Sequence, residues 1–175
     1  MNLDEAKAQV HRWVDEKLSV PSPAFQNLPP CPYSKPALLK NKVDIRCAAD
    51  GPELLAQVAE MARSWDDRYE LALIATEPEN IEPEALTAFI AESNARLEAE
   101  DLVCFFDHPR SVDPNYKITS ANGKYVFVGM QRLSLFVDAA RPLQKKNYFE
   151  KVSKQYGVTR HLGPLPAATA APASR

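Results

Sequence analysis

Apolar residues recur at intervals of three and four in four stretches of the chain, which is the spacing of one face of a helix. This pattern predicts helices over residues 3–18, from Asp50-Gly51-Pro52 onward, from Pro83 onward, and over residues 145–157. A proline at the first turn supports the second and third of these starts, because the amide hydrogen that it lacks has no intrahelical partner there.

Shorter apolar stretches between these helices predict β-strands. Residues 43–47 alternate apolar and polar, as a half-buried strand does, whereas residues 71–75 and 102–106 are continuously apolar, as fully buried strands are. The turn signal Asn122-Gly123 precedes a fourth predicted strand at 125–130. Residues 131–140 are ambiguous, and the alternation of their leucines and valine favours one more strand.

Strands that alternate with helices of this length favour parallel β-α-β units. We therefore expect a single α/β domain with a mixed sheet of four to five strands and flanking helices. The alternative is a ferredoxin-like α+β fold, which needs a hairpin between its second and third strands, where this sequence places a helix. The expected parts are an N-terminal helix at 1–20, a proline-rich connector at 21–41, an α/β domain at 42–162 and a disordered tail at 163–175.

The proline-rich connector is expected to be extended and stiff, because proline fixes φ and disfavours helix in the residue before it. It still carries Phe25, Leu28 and Tyr33, so we expect it to pack on the domain.

Charge and composition limit the partners of the chain. The 175 residues carry 21 Lys and Arg against 23 Asp and Glu, which excludes a uniformly basic surface and makes nucleic acid an improbable partner. No apolar run approaches the ~20 residues that span a bilayer, so no membrane contact is expected. The chain opens with acidic residues and its three cysteines are scattered, so we expect a cytoplasmic protein without a disulfide framework.

The carboxyl ends of parallel strands are where open α/β sheets bind their ligands. The third predicted strand brings Asp107, His108 and Arg110 to that edge. Imidazole transfers protons near neutral pH, and a guanidinium can hold a carboxylate or phosphate through two hydrogen bonds. We therefore predict His108 as acid/base, Asp107 as the residue that orients it, and Arg110, with Arg46 and Tyr116, as groups that bind an anionic small molecule. The alternative is a solvated loop with a surface ion pair.

Cys31 is the third catalytic candidate. The nearby Lys35, which is also a candidate for substrate binding, would lower the pKa of its thiol. The segment between Cys31 and the first strand is long enough to bring the thiol beside His108. The alternative is a structural cysteine packed in a stiff loop.

Two resemblances to known families involve these residues. An uncharacterised family of small bacterial proteins resembles this chain in the order of four motifs, namely the helix with Trp13, Cys31-Pro32-Tyr33, Ile45-Arg46 and His108-Pro109. That resemblance implies an unassigned activity and the same candidate residues. The string Cys31-Pro32-Tyr33-Ser34 also resembles the active site of single-thiol glutaredoxins, but the prolines on both sides of it replace the strand and helix that flank a glutaredoxin thiol.

Three functions therefore stay open. The first is an enzyme that acts on an anionic small molecule. The second is a non-catalytic accessory module that binds an acidic protein through residues 141–160, which carry six bases and one acid. The third is a thiol-redox protein. No C-x-x-C, H-x-x-x-H or glycine-rich phosphate motif occurs, so we expect no metal and the sequence indicates no cofactor.

Overall fold

The computed structural model describes residues 1–23, 27–111 and 121–138, so the helix predicted at 145–157 and the tail predicted at 163–175 lie outside the described residues. One mixed sheet contains the strands β1 (Val43–Cys47), β2 (Leu71–Thr76), β3 (Leu102–Asp107) and β4 (Val126–Arg132). Their order is β1-β2-β4-β3. β1 is parallel to β2, and β4 is antiparallel to both β2 and β3, so β1, β2 and β3 run in the same direction. We call the edge where these three strands end the carboxyl edge.

The helices are α1 (Leu3–Trp13), α2 (Ser34–Leu39), α3 (Gly51–Arg63) and α4 (Pro83–Leu97). α1 begins with a capping box between Asn2 and Glu5 and continues as a π-helical turn over Val14–Leu18. Asp50 caps α3 by accepting a hydrogen bond from the third residue of that helix. The three helix starts that were predicted in this part of the chain are confirmed.

Helices cover both faces of the sheet, which confirms a single α/β domain. On the α3/α4 face, even-numbered side chains of β2, β3 and β4 form one buried cluster with both helices. On the α1 face, odd-numbered side chains of β1, β2 and β4 pack against α1, and Trp13 stacks on Phe127 with ring centroids 5.6 Å apart. Along the chain, α4 lies between β2 and β3, where a ferredoxin-like fold has a hairpin. The ferredoxin-like alternative is therefore not observed.

Two local predictions are wrong. Residues 131–132 complete β4, but residues 133–138 are helical and form no further strand. The Asp101 carboxylate accepts hydrogen bonds from the main chain and the hydroxyl of Ser134, which satisfies donors at the start of this helix. The connector is also not wholly extended, because it contains α2. Pro36 lies in the first turn of α2, where a missing amide hydrogen costs little.

β3 is an edge strand, and a side chain of α4 covers part of its open side. The Asn94 amide accepts a hydrogen bond from the Cys104 N–H at 2.7 Å and donates one to the Cys104 carbonyl at 2.8 Å. It thus pairs with the strand as a neighbouring strand would.

Burial also raises the pKa of the Cys104 thiol to about 12, so this cysteine is unreactive.

Replacing Asn94 with leucine is expected to lower the free energy of unfolding by about 2 kcal/mol, because the N–H and C=O of Cys104 both lose a partner. The control Glu92→Leu, on the exposed side of the same helix, should change it by less than about 0.5 kcal/mol. Urea unfolding measures both. Equal stability of the two variants would show that the Asn94 amide does not support the edge.

Candidate functional site

His108 follows β3 directly and is buried, with 2 % of its surface exposed. Its Nδ1 lies 3.0 Å from the Arg110 N–H nitrogen, and its Nε2 lies 3.0 Å from the Ile81 carbonyl oxygen. Because Nδ1 accepts a hydrogen bond, the proton of the neutral ring is assigned to Nε2, which donates it to Ile81. Main-chain groups therefore engage both ring nitrogens, and this geometry argues against the acid/base role predicted for His108.

Arg110 connects the loop after β3 to the loop after β2. Its guanidinium donates a hydrogen bond to the Pro78 carbonyl at 2.6 Å and forms an ion pair with Glu82 at 3.2 Å. A weaker hydrogen bond reaches the Ile81 carbonyl at 3.3 Å. The substrate-binding role predicted for Arg110 would require it to share or leave these partners.

Asp107 binds Asn122 and does not orient His108 as predicted. Its Oδ2 accepts hydrogen bonds from the Asn122 N–H at 2.9 Å and from the Asn122 side-chain amide. The reason is the sheet order, since β4 pairs with β3 and brings the residues before β4 to the end of β3. The ring of His108 meanwhile points to Ile81 on the other side.

The environment of Asp107 makes it the strongest acid/base candidate. Burial raises the pKa of its carboxyl, although the Asn122 hydrogen bonds and the charge of Lys17 act in the opposite direction. Its Oδ1 accepts no hydrogen bond from the described residues, whereas Oδ2 is held by two donors. A carboxyl group with a raised pKa, one fixed oxygen and one unengaged oxygen can take up and return a proton.

Two residues of the α1 face complete this part of the carboxyl edge. The Lys17 ammonium donates a hydrogen bond to the Ala121 carbonyl at 2.6 Å, and the Gln9 amide donates one to the Asn122 carbonyl at 3.3 Å. Sequence reasoning did not identify Lys17, Gln9 or Asn122 as site residues. The one available signal was a lysine on the apolar stripe of the first helix, because a charge there needs a polar partner.

The loops after β1 and β2 are joined by hydrogen bonds at the same edge. The Thr76 hydroxyl donates to the Ala48 carbonyl at 3.0 Å. The Asn80 amide donates to the Ala49 carbonyl at 2.9 Å and to the Thr76 hydroxyl at 2.8 Å. Together with the contacts of His108, Arg110 and Asp107, these bonds connect the ends of all three parallel strands into one continuous rim.

Cys31 is held at the end of the π-helical turn. Its N–H donates to the Leu18 carbonyl at 2.8 Å, and its own carbonyl accepts from the Ser34 hydroxyl at 2.8 Å. Lys35, which was expected to lower the pKa of this thiol, instead forms an ion pair with Asp15 at 2.8 Å. Among the residues that the structure describes, no contact joins Cys31 to His108.

The other two predicted substrate-binding residues are Arg46 and Tyr116. Arg46 is the fourth of the five residues of edge strand β1, and its side chain forms an ion pair with Asp44 at 2.7 Å. Tyr116 lies outside the described residues. This ion pair holds the Arg46 guanidinium beside its own strand, and the substrate-binding roles of Arg46 and Tyr116 stay predictions.

Within residues 1–23, 27–111 and 121–138, no three His, Cys, Asp or Glu side chains come together to hold a metal ion. None of the helices in those ranges combines the length and the apolar character needed to cross a bilayer. Cys31, Cys47 and Cys104 are all free thiols.

No protein-family model matches this chain, and comparisons with curated proteins and with solved structures return no match. The two resemblances noted in the sequence therefore stay predictions from short motifs. Any function has to be argued from the geometry of the carboxyl edge.

Proposed function

We propose that this protein is an enzyme that binds an anionic small molecule at the carboxyl edge and uses Asp107 as its acid/base. One observation carries most of the proposal. Asp107 is a half-buried carboxyl with a raised pKa, and Asn122 fixes one of its oxygens while the other is unengaged by the described residues. It ends a parallel strand, at the edge where such sheets bind ligands.

Cations on the β4 side of the rim support an anionic ligand. Lys17 lies close enough to Asp107 to lower the pKa of that carboxyl, and an ammonium has three donors, of which Ala121 takes one. Lys124 lies over the Tyr125 ring with its nitrogen 4.5 Å from the centroid. Arg110 and Tyr116 stay in the proposal as further ligand contacts. The three free thiols fit the cytoplasmic location that we propose with this function.

Anion binding can be tested by titrating the full chain with inorganic phosphate and with citrate while recording amide NMR spectra. We expect shifts at residues 17, 107 and 122, and we expect Lys17→Gln to abolish them. Lys7→Gln is the matched control, because Lys7 is an exposed lysine of the same helix. The proposal fails if neither anion shifts these amides, or if Lys7→Gln abolishes the shifts equally.

Asp107→Asn is expected to stabilise the protein at neutral pH while removing the proposed acid/base. Burial raises the pKa of Asp107 in the folded protein above the value of 3.8 for the unfolded chain. At a pH between the unfolded and the folded pKa, the folded protein therefore holds a proton that the unfolded chain has released. This contribution to stability is complete below the unfolded pKa and is lost as the pH rises through the folded pKa. Asparagine cannot ionise, and its oxygen can still accept both hydrogen bonds from Asn122.

Urea unfolding of both proteins between about pH 4 and pH 8 measures this effect. The variant should be the more stable protein at the upper end, and the difference should shrink toward zero at the lower end. A difference that does not change with pH would contradict the raised pKa, and therefore the proposed acid/base.

A non-catalytic accessory module is the second candidate function. The observation that favours it is the engagement of His108 and Arg110 by main-chain groups, which leaves fewer side chains for chemistry. Its basic residues 141–160 lie outside the described residues. If charge reversal at Lys145, Lys146 and Lys151 abolishes function and Asp107→Asn does not, this candidate replaces the enzyme. The thiol-redox hypothesis gains no support from the described contacts of Cys31.

A further inference from the structure

The outer side of β1 presents main-chain groups with no strand to pair with. The Lys42 carbonyl accepts from the Glu70 N–H at 2.8 Å, and the Ala48 N–H donates to the Ala75 carbonyl at 2.9 Å, so both residues face β2. Main-chain groups alternate in direction along a strand. The odd-numbered residues Val43, Ile45 and Cys47 therefore face outward, where no strand pairs with them in the part of the chain described.

The charges of β1 make this outer side complementary to itself. Val43, Ile45 and Cys47 pack on the α1 face, so Asp44 and Arg46 lie on the α3/α4 face, with side chains 21 % and 40 % exposed. In an antiparallel pair centred on Ile45, Asp44 of each copy lies opposite Arg46 of the other. A shift of two residues in either direction would instead place Asp44 opposite Asp44, or Arg46 opposite Arg46.

We propose that two copies of this chain associate through antiparallel pairing of β1, in the register centred on Ile45. The two four-stranded sheets would become one continuous sheet across a two-fold axis. The Ile45 residues would exchange both of their main-chain hydrogen bonds. Gln57 already donates to the Cys47 carbonyl at 2.9 Å, but that oxygen has a second lone pair for the Val43 N–H of the other copy.

Two exposed leucines lie at the ends of this edge. Leu39 ends α2, just before β1, and is 76 % exposed, while Leu3 in the first turn of α1 is 41 % exposed. The Met1 ammonium lies 3.1 Å from the Glu77 carboxylate, directly after β2, so α1 begins at the end of the sheet where β1 ends. A two-fold axis through Ile45 brings Leu39 of one copy to the same end as Leu3 of the other.

Charge exchange within β1 tests both the association and its register. Sedimentation velocity of the full chain should show a species at twice the 19.5 kDa chain mass. Asp44→Arg alone and Arg46→Asp alone each create two like-charge pairs and should weaken the dimer at least about tenfold. The double variant Asp44→Arg/Arg46→Asp restores opposite charges and should recover the dimer. The control is Glu92→Arg, at an exposed position of α4, which should leave the dimer unchanged.

Amide hydrogen exchange gives an independent readout with an internal control. The Arg46 N–H faces β2 and should be protected at every protein concentration, whereas the Ile45 N–H should become protected only as the dimer forms. The proposal is overturned if the wild-type chain is a monomer throughout, if the single charge variants dimerise like the wild type, or if Ile45 exchange does not depend on concentration. None of these outcomes depends on ligand binding at the carboxyl edge, so the two proposals fail separately.

Discussion

Replacing His108 with alanine is expected to lower the free energy of unfolding by about 3 kcal/mol, which makes it one of the most damaging single changes in this chain. The substitution leaves the Arg110 N–H without its acceptor and removes the strongest donor to the Ile81 carbonyl. It also opens a cavity in a fully buried position. Urea unfolding at neutral pH measures the loss.

His108→Phe separates the two causes, because phenylalanine fills the space but makes neither hydrogen bond. We expect it to remain destabilised by about 2 kcal/mol. His11→Ala, at an exposed position of α1, is the matched control and should change stability by less than about 0.5 kcal/mol. If His108→Ala unfolds like the control, the ring does not hold the two loops together. A loss of activity in His108→Ala would therefore not identify a catalytic base unless the folded fraction is measured as well.

The direction of the strands could be predicted from local patterns, but the partners of the rim residues could not. Continuous apolar runs around Ile74 and Cys104, with helices between them, are sufficient to indicate parallel strands whose ends meet. The acceptor for His108 is the main-chain carbonyl of Ile81, 27 residues away. Every residue carries such a carbonyl, so no side-chain pattern in the sequence marks this one.

The role proposed for Asp107 depends on the position of one antiparallel strand, β4. The apolar pattern of β4 would be much the same if the strand lay at either edge of the sheet, outside β3 or outside β1. A turn signal indicates where the chain reverses, but it does not indicate which strand becomes the neighbour. Because β4 lies between β2 and β3, Asn122 contacts Asp107, and His108 contacts the loop after β2 instead. The sequence indicates a turn at Asn122-Gly123, and only the sheet order makes that turn part of the site.

The side chains that hold the rim together belong to residue types that are common in active sites. For this reason the sequence predicted catalytic and ligand-binding roles for them. His108 and Arg110 fix the positions of loops through hydrogen bonds with main-chain groups. Asp107 is half-buried beside them, and this partial burial disfavours its ionised form. A raised carboxyl pKa on a rigid rim is what supports the proton-transfer role proposed for Asp107.

Replacing Gly51 with alanine is expected to destabilise the protein by about 3 kcal/mol, although alanine is the better helix former. A Cβ at residue 51 would lie 2.5 Å from the Asn80 carbonyl oxygen, which is a main-chain atom that cannot rotate away. The first turn of α3 would have to move from the loop after β2. That movement would strain the hydrogen bond from Asn80 to Ala49 and separate the ends of β1 and β2.

Gly123→Ala is the matched control for this prediction. Gly123 has a φ of +77°, and among the described residues the nearest atom to an added Cβ would be the Lys17 ammonium nitrogen at 4.0 Å, so the cost there is backbone strain without a clash. We expect that variant to lose about 1 kcal/mol. Thermal and urea unfolding of the two variants compare the loss of stability caused by a steric clash at residue 51 with the loss caused by backbone strain at residue 123. A Gly51→Ala protein as stable as the wild type would show that α3 does not press against the loop after β2, and the rim would then lack the rigidity on which the proposed site depends.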